Sequence, residues 1–81
     1  MTLEDILKKD AEFRYMLLDR MRTDCEYYLG NGQIYGAHLW ASNERDQIDY
    51  MKAIWNSFPD DAKPQWLSME KIEEYERLMC K

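Results

Sequence analysis

The sequence predicts an all-α fold, a small three-helix bundle with a short extra helix at its N-terminal end. Three observations carry this. Apolar residues recur at i, i+3, i+7 and i+10 in two separate stretches, Leu18/Met21/Cys25/Tyr28 and Ile48/Met51/Trp55/Phe58, which is the spacing that lines one face of an α-helix. Turn and cap residues divide the chain at Gly30-Asn31-Gly32, Asn43, Pro59, Pro64 and Ser68. The composition, 46% hydrophobic and 33% charged over 81 residues, supplies apolar surface for one core and no more. Residues 1–81 are therefore expected to form a single helical domain.

Thr2 followed by Asp5 marks a first helical turn, with Leu3, Ile6 and Leu7 sharing a face over Leu3 to Lys8. Asp10 is a second cap candidate. Either one helix runs from Leu3 to Leu29, or the chain breaks near Lys9 and restarts. From Ala11 to Leu29 the pattern is amphipathic, with Phe13, Leu17 and Leu29 widening the apolar stripe and Arg14, Asp19, Arg20, Arg22 and Glu26 off it. Gly30 stands where a left-handed C-cap belongs, and Asn31-Gly32 is a turn signal. Ile34-Tyr35 is a short extended candidate without a partner, so no sheet is expected. Ser42 or Asn43 caps a helix from about Asn43 to Phe58, which Pro59 ends by disfavouring helical geometry in the residue before it. Trp66 and Leu67 precede Ser68 as a hydrophobic staple would. The last helix runs from Met69 towards Cys80 and buries Ile72, Tyr75 and Met79, joined by Leu78, with Glu70, Glu73, Glu74 and Glu76 on the outer face. The core expected from these stripes is Leu18, Met21, Cys25, Tyr28, Ile48, Met51, Trp55, Phe58, Trp66, Ile72 and Tyr75, centred on Trp55.

The chemistry-bearing residues are sparse. His38 is the single histidine, and Cys25 and Cys80 lack ligand spacing, so no metal site is expected and both cysteines read as small hydrophobes. A disulfide between them is the alternative. Gly30, Gly32 and Gly36 follow a helix, whereas a phosphate-binding loop follows a strand, so no nucleotide or other cofactor is expected. A net charge of −5 disfavours nucleic acid as a partner, because that affinity comes from Lys and Arg displacing counterions. A local basic patch of Lys8, Lys9, Arg14, Arg20 and Arg22 is the exception to weigh. The longest pure apolar run, Tyr15 to Leu18, is far short of a membrane span, and Met1-Thr2-Leu3-Glu4-Asp5 does not begin like a signal peptide. A cytoplasmic, monomeric protein without membrane contact is expected.

The run from Met51 to Pro59, the words Lys63-Pro64-Gln65-Trp66-Leu67-Ser68 and Ile72-Glu73-Glu74-Tyr75, and Asp24-Cys25-Glu26-Tyr27-Tyr28-Leu29-Gly30 upstream carry a resemblance. Over about Met16 to Met79 the chain resembles a small domain family associated with large polyvalent proteins. Such domains occur in phages and conjugative elements, fused into very long proteins or free-standing. The resemblance implies a helical accessory domain of mobile-element origin. It brings no catalytic or ligand-binding residue, because the shared words are aromatic, proline and cap residues that describe a core.

The function expected is that of a noncatalytic protein-interaction module with a protein partner. The candidate surfaces are the aromatic connector around Tyr35, His38 and Trp40 and the acidic face of Glu70, Glu73 and Glu74. The alternatives are an acidic DNA mimic that blocks a nucleic-acid-binding defence protein, and a weak nucleic-acid binder using the basic patch.

Overall fold

Residues 2–31 and 39–80 are described by the computed structural model. Among them are four α-helices, α1 Leu3–Leu7, α2 Ala11–Asn31, α3 Glu44–Asn56 and α4 Met69–Met79, with a 3-10 turn at Asp60–Ala62 and no strand. The fold is a small all-α bundle in which α3 lies between α2 and α4 and the short α1 packs on α3.

The ends of the helices are set by side chains. Thr2 and Asp5 close a capping box, each side chain accepting from the other's backbone N–H, and so satisfy two donors that a helix start leaves open. The chain breaks after Leu7, and Asp10 caps the restart by accepting from Phe13 N at 2.8 Å. Arg14 holds this corner down: its Nε donates to Lys9 O at 3.1 Å and its Nη1 to Ser57 Oγ at 2.6 Å. One guanidinium thereby joins the α1–α2 turn to the end of α3. Asn43 caps α3 by accepting from Asp46 N at 2.8 Å, while Ser42 takes a left-handed φ of 73°. Ser68 caps α4 by accepting from Lys71 N at 3.1 Å.

Two boundaries differ from expectation. Helix α2 continues through Gly30 to Asn31, so Gly30 is not a left-handed cap. Helix α3 stops at Asn56, with Ser57 as its C-cap, two residues before Phe58, because the proline at 59 removes a donor and crowds the turn before it. Gly32, Ile34 and Gly36 lie outside the described residues.

The buried core contains Leu18, Met21, Cys25, Ile48, Met51, Phe58, Ile72, Tyr75 and Met79 as expected, together with Ile6, Leu17, Leu39, Ile54 and Leu67. Trp55 is a correction. It is only partly buried, its Nε1 donating to Leu67 O at 3.0 Å and its ring lying 4.6 Å from Lys63 Nζ, while Ile54 is fully buried. At 3.6 residues per turn Trp55 lies within the arc of the buried α3 residues Gln47, Ile48, Met51 and Ile54, but it sits on the last turn of the helix, where its indole reaches the connector at Leu67 O and Lys63. Tyr28 is also half-buried, because its hydroxyl reaches out to donate to Glu44 Oε2 at 2.8 Å. Trp66, Phe13 and Leu78 are exposed rather than interior. The staple before α4 is made by Leu67 and Ile72, both buried, and Trp66 turns outward.

Candidate docking surface

The two surfaces singled out by sequence fare differently. Tyr35 and His38 lie outside the described residues. Trp40 is half-buried, its backbone N–H donating to Asp24 Oδ2 at 3.1 Å and its ring 6.3 Å from that of Tyr50, so it belongs to the closure of α2 onto α3. On α4, Glu70 and Glu73 are exposed. Glu74 is half-exposed and accepts from Lys71 Nζ at 2.6 Å, a bond that lowers the Glu74 carboxyl pKa and raises that of the Lys71 ammonium. These acids line a shallow surface that Lys71 and Arg77 also line. Glu76 is not on that outer face. It turns towards α3, where Lys52 Nζ at 2.8 Å and Arg45 Nη2 at 2.6 Å donate to its two oxygens. Lys52 first and then Arg45 hold its carboxyl below the usual carboxylate range.

Lys8, Lys9, Arg14, Arg20 and Arg22, the basic patch to be weighed, do not gather into one free surface. Lys8 pairs with Glu4, Arg20 with Asp24 and Arg22 with Asp19, while Arg14 is engaged at Ser57. Lys9 lies 5.7 Å from the Phe13 ring centre.

A surface that sequence reasoning missed is apolar. Ala11, Glu12, Tyr15 and Met16 on the first two turns of α2 face Phe58 and Ala62 across an open groove with mainly apolar walls. Met16 is 65% exposed and Tyr15 37% exposed. Tyr15 is held from two sides, edge-on to Phe58 at 5.7 Å and edge-on to Trp66 at 5.2 Å, while Trp66 Nε1 donates to the Tyr15 hydroxyl at 2.9 Å. Edge-to-face packing suits the ring quadrupoles and fixes both rings. Arg14 lies 5.0 Å from the Phe58 ring and Arg22 5.5 Å from the Trp66 ring. The result is a rigid aromatic wall with a mobile-jointed thioether at its edge, the kind of side chain that adapts to irregular apolar partners. One sequence signal pointed here: Tyr15-Met16-Leu17-Leu18 is an apolar run longer than one helix face can bury, so part of it must face outward.

Among the described residues no three His, Cys, Asp or Glu side chains come together in an arrangement for a metal ion. Cys25 is fully buried, with Sγ 3.6 Å from Met51 Sδ, and its thiol is pushed up to about 12, chiefly by burial, the opposite of what a nucleophile requires. Burial also raises the Cys80 thiol, and both cysteines are free. The Tyr75 hydroxyl donates to Glu26 Oε2, and burial followed by that bond raises its pKa. No helix among the described residues is long and apolar enough to cross a membrane.

No curated protein and no solved structure matches the chain. The family profile described as large polyvalent protein-associated domain 11 matches residues 11–79, which takes in α2, α3, α4 and every residue lining the groove and leaves α1 outside. With most of its length matched, this chain belongs to the large polyvalent protein-associated domain 11 family.

Proposed function

We propose that this domain is a noncatalytic accessory module of a bacterial mobile element that docks a protein partner through the groove of Tyr15, Met16, Phe58 and Ala62. The observation that carries the reading is the exposure of Met16 beside a fixed aromatic wall. A small domain has every reason to bury such side chains, and contiguous exposed apolar surface marks interaction sites. Membership of a family associated with large polyvalent proteins supports an accessory role, because one module of a long assembly needs only to bind. A DNA-mimic role draws less support. The outer face of α4 is interleaved with Lys71 and Arg77, and Glu74 and Glu76 are already paired.

The test is site-specific photo-crosslinking in cells that carry the gene, with a photoreactive phenylalanine analogue at position 16 or position 70. A discrete adduct from position 16 and none from position 70 is expected. Adducts from position 70 alone would move the docking face to α4, and none from either would remove the interaction reading.

A further inference from the structure

The sulfur atoms of the described residues differ sharply in access. Met21 and Met51 are fully buried and Met79 nearly so, Met69 is half-buried, and Met16 is the one methionine among them that is mostly exposed. Its side chain lines the open groove beside the edge-on pair of Tyr15 and Phe58, where a small solute reaches it without any opening of the helices. The thiols compete poorly. Cys25 is fully buried against Met51 Sδ, and burial pushes its thiol up to about 12. Burial, ahead of the opposing Arg45 charge, also raises the half-buried Cys80 thiol. Peroxides oxidise thiolates, so Cys25 is closed to the reaction and Cys80 is slowed. A thioether needs no deprotonation, and access decides.

Resting on the docking reading above for its consequence, we infer that Met16 is the oxidation site of the folded domain: a hydroperoxide converts its thioether to the sulfoxide, and the sulfoxide weakens the hold of the groove on its partner. The sulfur lone pair attacks one peroxide oxygen, so that an S–O bond forms as the O–O bond breaks. The other oxygen leaves as water or an alcohol, taking the proton of the transferred oxygen through solvent. Sulfur is oxidised and the peroxide reduced by one electron pair. The product is a polar group on an apolar wall, and an apolar side chain docked over it would bury its oxygen unpaired. The core is untouched, because Met16 stands outside it.

The purified full chain is treated with limiting hydrogen peroxide at about pH 6, where thiolate is scarce, and the oxygen is located by peptide mass spectrometry. It should appear on Met16 ahead of Met69 and before Met21, Met51, Met79, Cys25 or Cys80, with the thermal midpoint unchanged. The treated chain, carrying a photoreactive phenylalanine analogue at position 62, is then added to an extract of cells that carry the gene. Its adduct should weaken by roughly tenfold and return after a methionine sulfoxide reductase has acted. Met16→Gln, which puts a polar group of similar length in the groove, should lose the adduct without peroxide, and Met69→Leu should leave the sensitivity to peroxide unchanged. Oxygen on Met51 or Cys80 as early as on Met16, a lowered thermal midpoint with the first oxygen, or a full adduct from the oxidised chain or from Met16→Gln would each overturn the inference. An untreated chain that gives no adduct would sink the docking reading instead, while the order of oxidation on the purified chain still decides which sulfur reacts.

Discussion

Gln47 shows how one polar side chain can be an interior residue. It is fully buried, its Oε1 accepting from Ala41 N at 3.0 Å and its Nε2 donating to Met21 O at 3.2 Å, so it ties the approach to α3 back to α2. Gln47→Ala removes both bonds and leaves the part-buried Ala41 N–H without its partner, which should lower the unfolding free energy by about 1 to 3 kcal/mol in chemical denaturation. A loss below a few tenths would show that water replaces the side chain. Hydrophobic periodicity cannot find such a residue, since it scores polarity and not hydrogen-bond partners. It did find Cys25, and the burial that raises that thiol leads to a second expectation. In the native protein at neutral pH a thiol reagent should modify Cys80, which is half-buried, and should reach Cys25 only on unfolding. Two equally fast thiols would contradict the packing of α2.

At the scale of elements the caps were the most legible feature and the ends the least. Thr2, Asp10, Asn43 and Ser68 each do locally what their side chains allow, accepting from the backbone N–H three residues on, and that chemistry is written in nearby residues. Gly30 misled because glycine is both the commonest left-handed cap and a tolerated helix residue. It is helical, and a Cβ at that position would meet nothing within 4 Å. Gly30→Ala should therefore stabilise the protein by about 0.5 to 1 kcal/mol, measured as a raised thermal midpoint. Destabilisation by that substitution would restore the left-handed cap. Trp55 misled for a geometric reason. The stripe Ile48, Met51, Trp55, Phe58 is a true helical face, but Trp55 stands on the last turn of α3, where its indole reaches beyond the helix to the connector at Leu67 O and Lys63.

Across the whole molecule, long-range polar contacts join helices that the sequence could only list. Arg45 and Lys52 on α3 converge on Glu76 of α4 across 31 and 24 residues of chain. Because that carboxyl is held below its ordinary range, its contribution to stability is present above the unfolded carboxylate pKa and is lost as pH falls through the lower folded value. Glu76→Gln should accordingly flatten the acid limb of a stability profile taken below about pH 4.5 and change the slope near neutrality little; an unchanged acid limb would show that the cluster is screened out. The acidic surface of α4 was legible as a run of glutamates, whereas the groove required the tertiary fold, since Tyr15 and Met16 meet Phe58, Ala62 and Trp66 only after α2 packs beside the connector. Met16→Asp separates a working surface from a piece of the core when it is read out both as thermal stability and as partner crosslinking from a photoreactive group at position 62. An exposed side chain should change stability by no more than about 0.5 kcal/mol, while the crosslinked partner is lost. A cooperative loss of stability with the partner retained would instead make Met16 a structural residue and rule out docking through this groove.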